Sequence, residues 1–179
     1  MDYLPEPDIF HDIAGHVPMH TEKQFADTLV RFGDCAVTAA RITAEVKDPV
    51  ERVRRLTSIM RAMSRFFWFT VELGLMRGAK GTCAYGSGLL SSYGELEHAI
   101  ESDEVQRYPI QLEWVINQVA EIDHYQPILF VVDSFEHLFS LVEEFERWMT
   151  EGKLYNVAPG LPDVAEGDLR SFLEAGANC

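Results

Sequence analysis

Apolar residues recur along this chain mostly at helical intervals. Residues 22–46 place Phe25, Leu29, Phe32 and Val37 at steps of three to five. That spacing predicts a long helix with those four side chains towards a core and a bend at Gly33. Residues 7–14 predict a short helix with Pro7 in its first turn. Residues 49–77 predict a third helix, started by Pro49 and stopped at Arg77-Gly78. Shorter helices are expected over 93–101 and 108–121. Residues 127–132, Pro-Ile-Leu-Phe-Val-Val, form an apolar run of strand length with β-branched residues. Asp133 or Ser134 then caps a helix to about Thr150. The tail carries Gly152, Pro159, Gly160 and Pro162, followed by a short helix over 168–175. There is no internal repeat and no low-complexity segment.

One position breaks the pattern. Glu72 sits among Trp68, Phe69, Leu75 and Met76 at helical spacing, with Phe66, Phe67, Val71 and Leu73 on the other faces. A helix that is apolar all round is buried, and a buried carboxylate is costly unless it is paired or bound to a metal. Two readings stand. Glu72 pairs with Arg65 or Arg77, or reaches solvent near the helix end; or it ligates a metal. His11 and His16, in Phe10-His11-Asp12-Ile13-Ala14-Gly15-His16, favour the metal. In an unbroken α-helix, residues five apart are rotated by about 140°, so the two rings need a break between them. Gly15 is the candidate, as a left-handed helix end, with Pro18 preventing a restart. The motif is not HExxH, whose histidines lie four apart. Two histidines and one carboxylate leave coordination positions open for oxygen chemistry.

Three segments carry a resemblance to a known family. Pro5-Glu6-Pro7-Asp8-Ile9-Phe10-His11-Asp12-Ile13-Ala14-Gly15-His16-Val17-Pro18, Phe66-Phe67-Trp68-Phe69-Thr70-Val71-Glu72-Leu73-Gly74-Leu75 and Ala84-Tyr85-Gly86-Ser87-Gly88-Leu89-Leu90-Ser91-Ser92-Tyr93-Gly94-Glu95 occur in that order. They resemble the pterin-dependent aromatic amino acid hydroxylases, as does Tyr125-Gln126-Pro127 with the run that follows. The resemblance implies a mainly α fold, a multi-helical iron-binding basket with a short β-hairpin. It implies Fe(II) held by His11, His16 and Glu72. It places Ser91 behind an iron histidine and sets Pro7, Trp68, Gly88 and Ser91 on the substrate side.

The same resemblance aligns the chain with the second half of the family's catalytic domain. The front half supplies most of the pterin-binding loop and an arginine for the substrate carboxylate, with Asp8 as that arginine's support. Asp12 and Phe67 stand at positions near the pterin where the family more often has glutamate and tyrosine, and Leu4 stands where animal members carry threonine. The expected activity is therefore O2-dependent oxidation or hydroxylation of an aromatic or amino-acid-derived small molecule, without an obligatory tetrahydropterin. The alternatives are a conventional tetrahydropterin-dependent phenylalanine-type hydroxylase, a non-catalytic metal-binding partner subunit, and a zinc hydrolase, since the ligand types also suit zinc.

Composition narrows the setting. The chain has 179 residues, enough for one domain with a real core. Residues 1–150 are expected to form the iron-binding catalytic domain and 151–179 a tail packed on it or on a partner. A formal net charge of −14 argues against nucleic acid and anionic membrane surfaces. No apolar run is long enough to span a membrane, and no signal peptide is visible. Cys35, Cys83 and Cys179 read as reduced thiols of a cytoplasmic protein. His20 either reaches the site as an acid or base or lies partly exposed; His98 and His137 are expected on the surface, and His124 is ambiguous. The apolar helix around Glu72 needs cover, which predicts a homodimer.

Overall fold

The computed structural model describes residues 8–121 and 124–177. Pro7, Leu4 and Cys179 lie outside those residues. Helices α2 (Lys23–Ala44), α3 (Pro49–Phe67) and α7 (Phe135–Thr150) dominate the fold. The smaller helices are α1 (Val17–Met19), α4 (Ser87–Ser91), α5 (Tyr93–Glu101), α6 (Leu112–Val115) and α8 (Glu166–Ala177). Their starts follow capping chemistry. Asp48 accepts from Val50 N–H ahead of Pro49, and Ser134 accepts from His137 N–H at the head of α7.

A four-stranded sheet runs in the order β2-β1-β4-β3. Strands β1 (Leu75–Gly78) and β2 (Gly81–Ala84) form an antiparallel hairpin. Strand β4 (Ile128–Val132) pairs in parallel with β1 on one side and with β3 (Gln106–Pro109) on the other. The main core joins Phe25, Phe32 and Cys35 of α2 to Phe66, Phe69, Phe130, Leu138 and Phe145. Burying each such aromatic contributes about 2–3 kcal/mol. A second cluster, of Leu73, Leu75, Leu89, Ala99, Val105 and Leu129, seats the hairpin on α4 and α5.

The structure corrects several expectations. The third helix stops short of Gly78: a π-helix follows at Trp68–Glu72, and Leu75–Gly78 is a strand. The glycines after Arg77 mark a hairpin turn, with Gly81 at φ +134°, and not a helix stop. Residues 108–121 are not one helix. Their apolar positions suit a helical face, yet Gln106–Pro109 pairs with β4 and only Leu112–Val115 is helical. Val37 is exposed although its spacing pointed inward. His98 is half-buried, its ring 5.0 Å from that of Tyr125.

Candidate metal centre

Both segments that carry the predicted ligands are π-helical. In His11–His16 the Val17 N–H reaches Asp12 O, and in Trp68–Glu72 the Leu73 N–H reaches Trp68 O at 2.9 Å. These i→i+5 bonds widen the turn, so residues five apart come to lie one above the other. His11 and His16 therefore face the same point without a chain break. Gly15 is not left-handed, and Pro18 lies inside the short helix α1. Gly15 serves a different end: a Cβ there would lie 2.5 Å from the Ser87 carbonyl oxygen. Its absence lets the first segment press directly on α4.

The three donors converge. His11 Nε2 lies 3.0 Å from His16 Nε2 and 3.6 Å from Glu72 Oε2, and His16 Nε2 lies 3.5 Å from Glu72 Oε1. Ligands bonded at about 2.1 Å on one face of an octahedral ion stand about 3 Å apart. Among the described residues, this is the cluster of three or more such side chains whose geometry suits a metal ion. Glu72 has neither of its candidate arginine partners. Arg65 donates to backbone carbonyls, and Arg77 pairs with Asp133.

The hydrogen bonds around the donors orient His11 and Glu72. Ser91 Oγ lies 2.8 Å from the Ser87 carbonyl, which can only accept, so the hydroxyl proton goes there. Its lone pair then accepts Nδ1–H from His11 at 2.8 Å. His11 Nε2 is left as a bare donor pointing at His16 and Glu72. Glu72 Oε2 accepts from Ser87 Oγ at 2.7 Å. Two imidazole nitrogens and a carboxylate crowded this closely suit a divalent cation between them.

The other predicted positions are dispersed around this point. Gly88 abuts the Glu72 carbonyl, where a Cβ would lie 3.0 Å away. Trp68 is half-buried, spans both apolar clusters, and its indole N–H has no hydrogen-bond partner among the described residues. Asp8 Oδ1 accepts the His11 backbone N–H at 3.0 Å. Asp12 is exposed, and Phe67 packs edge-on against Phe32. His20 is exposed, and His11, His16 and Glu72 meet without it. Sequence reading missed Ser87. The Gly86-Ser87-Gly88 block was visible, but residue order alone does not tell which of its serines meets which ligand.

The family model for the biopterin-dependent aromatic amino acid hydroxylases matches residues 1–158. The chain belongs to that family. The phenylalanine-4-hydroxylase of Ralstonia nicotianae is 34% identical over 176 residues, 98% of this chain and 51% of that protein. A crystal structure of the Chromobacterium violaceum phenylalanine hydroxylase with bound oxidised Fe(III) superposes with a TM-score of 0.72 at 32% identity, covering 92% of this chain and 55% of that one. A second structure of that enzyme, with iron(III) and oxidised 7,8-dihydrobiopterin, gives a TM-score of 0.68 at 31% identity, covering 92% and 54%. The chain thus spans about half the length of these relatives. Among the described residues, no helix is long and apolar enough to cross a membrane.

Proposed function

We propose that this chain carries the iron site of a tetrahydropterin-dependent aromatic amino acid hydroxylase of the phenylalanine type, with His11, His16 and Glu72 as the protein ligands of one Fe(II). The observation that carries this reading is the convergence of the three donors within 4.8 Å of one another. Fe(II), when bound, supplies O2 activation at the positions that three protein ligands leave open. The residues do the rest. Ser91 holds His11 in the tautomer that offers Nε2. Trp68 and the Gly88-to-Ser91 turn form a wall for an aromatic ring, and Asp12 and Phe67 lie on the pterin side. Asp8 braces the helix that carries His11.

The family's description as biopterin-dependent, and a relative that binds iron together with 7,8-dihydrobiopterin, support a pterin as the two-electron donor. They favour it over the pterin-independent oxidation expected from the sequence. The hydroxylase names of the relatives likewise favour this reading over a zinc hydrolase or a non-catalytic metal-binding subunit.

The reading extends to organisation. The iron-binding unit is assigned to residues 1–150, and the described part of the remaining tail packs on it. The bond from Ser58 Oγ to Leu154 O at 2.6 Å, with Leu154 in the main core, supports that packing. The protein is cytoplasmic and a homodimer. Ile9, Phe10, Ile13 and Val17 form an exposed apolar stripe that a second copy would cover. Light scattering at micromolar concentration should give twice the chain mass, and Ile13→Glu should give the monomer; a wild-type monomer overturns the dimer.

Two measurements test the core of the proposal. After anaerobic Fe(II) loading, His11→Ala, His16→Ala and Glu72→Ala should each lose stoichiometric iron; retention in any two overturns the ligand set. In single turnover with phenylalanine and O2, product should appear only with tetrahydropterin, one per pterin oxidised. Product from substrate alone would overturn the role of the pterin.

A further inference from the structure

Ser87 is 1% exposed and has one hydroxyl proton to give. Two acceptors are in reach: Glu72 Oε2 at 2.7 Å and the Val71 carbonyl at 3.2 Å. A bond to a carboxylate is charge-assisted, shorter and about twice as strong as one to a neutral carbonyl. The proton therefore goes to Glu72. The carbonyl of the same residue accepts from Ser91 Oγ, which in turn accepts from His11 Nδ1–H. The Gly15 backbone packs against that carbonyl too closely for any side chain. Three segments of the site thus meet at one residue.

We propose that Ser87 is a positioning residue for the metal-binding carboxylate. Its hydroxyl fixes the plane of Glu72 and occupies a lone pair of Oε2. Oε1, 3.5 Å from His16 Nε2, then keeps both lone pairs for the metal, while Oε2, 3.6 Å from His11 Nε2, has one already taken. Glu72 is held in this orientation before metal arrives, as His11 is held through Ser91. The inference rests on Glu72 being a metal ligand.

The test uses Co(II), a spectroscopic stand-in for Fe(II), titrated into the metal-free full chain. Ser87→Ala removes one oxygen atom and leaves the backbone carbonyl in place. The expected result is an unchanged melting temperature without metal and a Co(II) dissociation constant raised about tenfold. The visible Co(II) absorption should also change, because Oε2 is freed to join the coordination sphere. A constant within twofold of wild type overturns the proposal. So does weaker binding with an unchanged spectrum, or with a lowered melting temperature of the metal-free protein, since either marks a packing role. Glu72→Ala, titrated in parallel, separates the two failures. If Glu72→Ala binds like wild type, the ligand assignment itself falls. If it loses Co(II) while Ser87→Ala does not, only the role of Ser87 falls.

Discussion

A single hydroxyl decides how His11 can act. With the Ser91 proton committed to the Ser87 carbonyl, the ring must donate from Nδ1, and Nε2 is free for a cation. Ser91→Ala leaves that N–H without its acceptor and allows the other tautomer. Metal affinity should fall about 10–100-fold, read by competition with a chromophoric chelator. The cysteines show how burial sets reactivity in the opposite sense. Cys35 is 0% exposed, and burial, with Glu146 adding to it, pushes its thiol up to about 12. Only the thiolate is nucleophilic, so the buried Cys35 is a poor nucleophile near neutral pH while the fold holds. Cys83 is exposed. Iodoacetamide at pH 8 should label Cys83 in the native protein and Cys35 only on unfolding, with mass spectrometry assigning the sites.

At the scale of elements, the long helices and β4 were legible because their periods are strong and their caps conventional. Lys23–Ala44, Tyr93–Glu101 and Phe135–Thr150 lie within a residue or two of the expected bounds. The convergence of His11, His16 and Glu72 was legible for another reason: a carboxylate on an apolar helix and two nearby histidines have few other uses. The means of convergence was not. A π-turn has no residue code of its own, whereas a glycine between two histidines looks like a break. The β3 edge was hidden as well, since its pairing is set by β4, about twenty residues away. Two glycines turn this lesson into an experiment. Alanine favours a helix over glycine by about 0.8–1 kcal/mol. At Gly33, where a Cβ meets nothing within 4 Å, Gly33→Ala should raise the melting temperature. At Gly15 the new methyl meets the backbone of Ser87, and overpacking of this kind costs about 1–3 kcal/mol. Gly15→Ala should lower both the melting temperature and the metal affinity, because it drives His16 away from α4. Equal behaviour of the two variants would show that Gly15 is an ordinary helix residue.

Across the whole molecule, the tail and the helix that leads to Glu72 are joined by a buried cation. Arg65 is 0% exposed and lies seven residues before Glu72 on the same helical run. Its guanidinium donates to the carbonyls of Leu161 at 2.9 Å, Ala158 at 2.8 Å, Ile116 and Pro159 at 3.1 Å, and Gly160 at 3.2 Å. Carbonyl dipoles do the work that a carboxylate usually does for a buried charge, and they come from two separate stretches of chain. Arg65→Met keeps most of the apolar stem but leaves those carbonyls without a donor. Unmet buried acceptors and lost charged hydrogen bonds should cost about 3 kcal/mol. For a chain of this length that lowers the melting temperature by roughly 6–12 °C. Calorimetry reads the loss, and limited proteolysis should show the first new cuts after residue 155, where the clamp no longer holds the tail. Metal affinity should change little, because Glu72 is held locally by Ser87 and not through α3. An affinity loss matching that of Ser87→Ala would instead show that the tail sets the geometry of the metal centre through the helix.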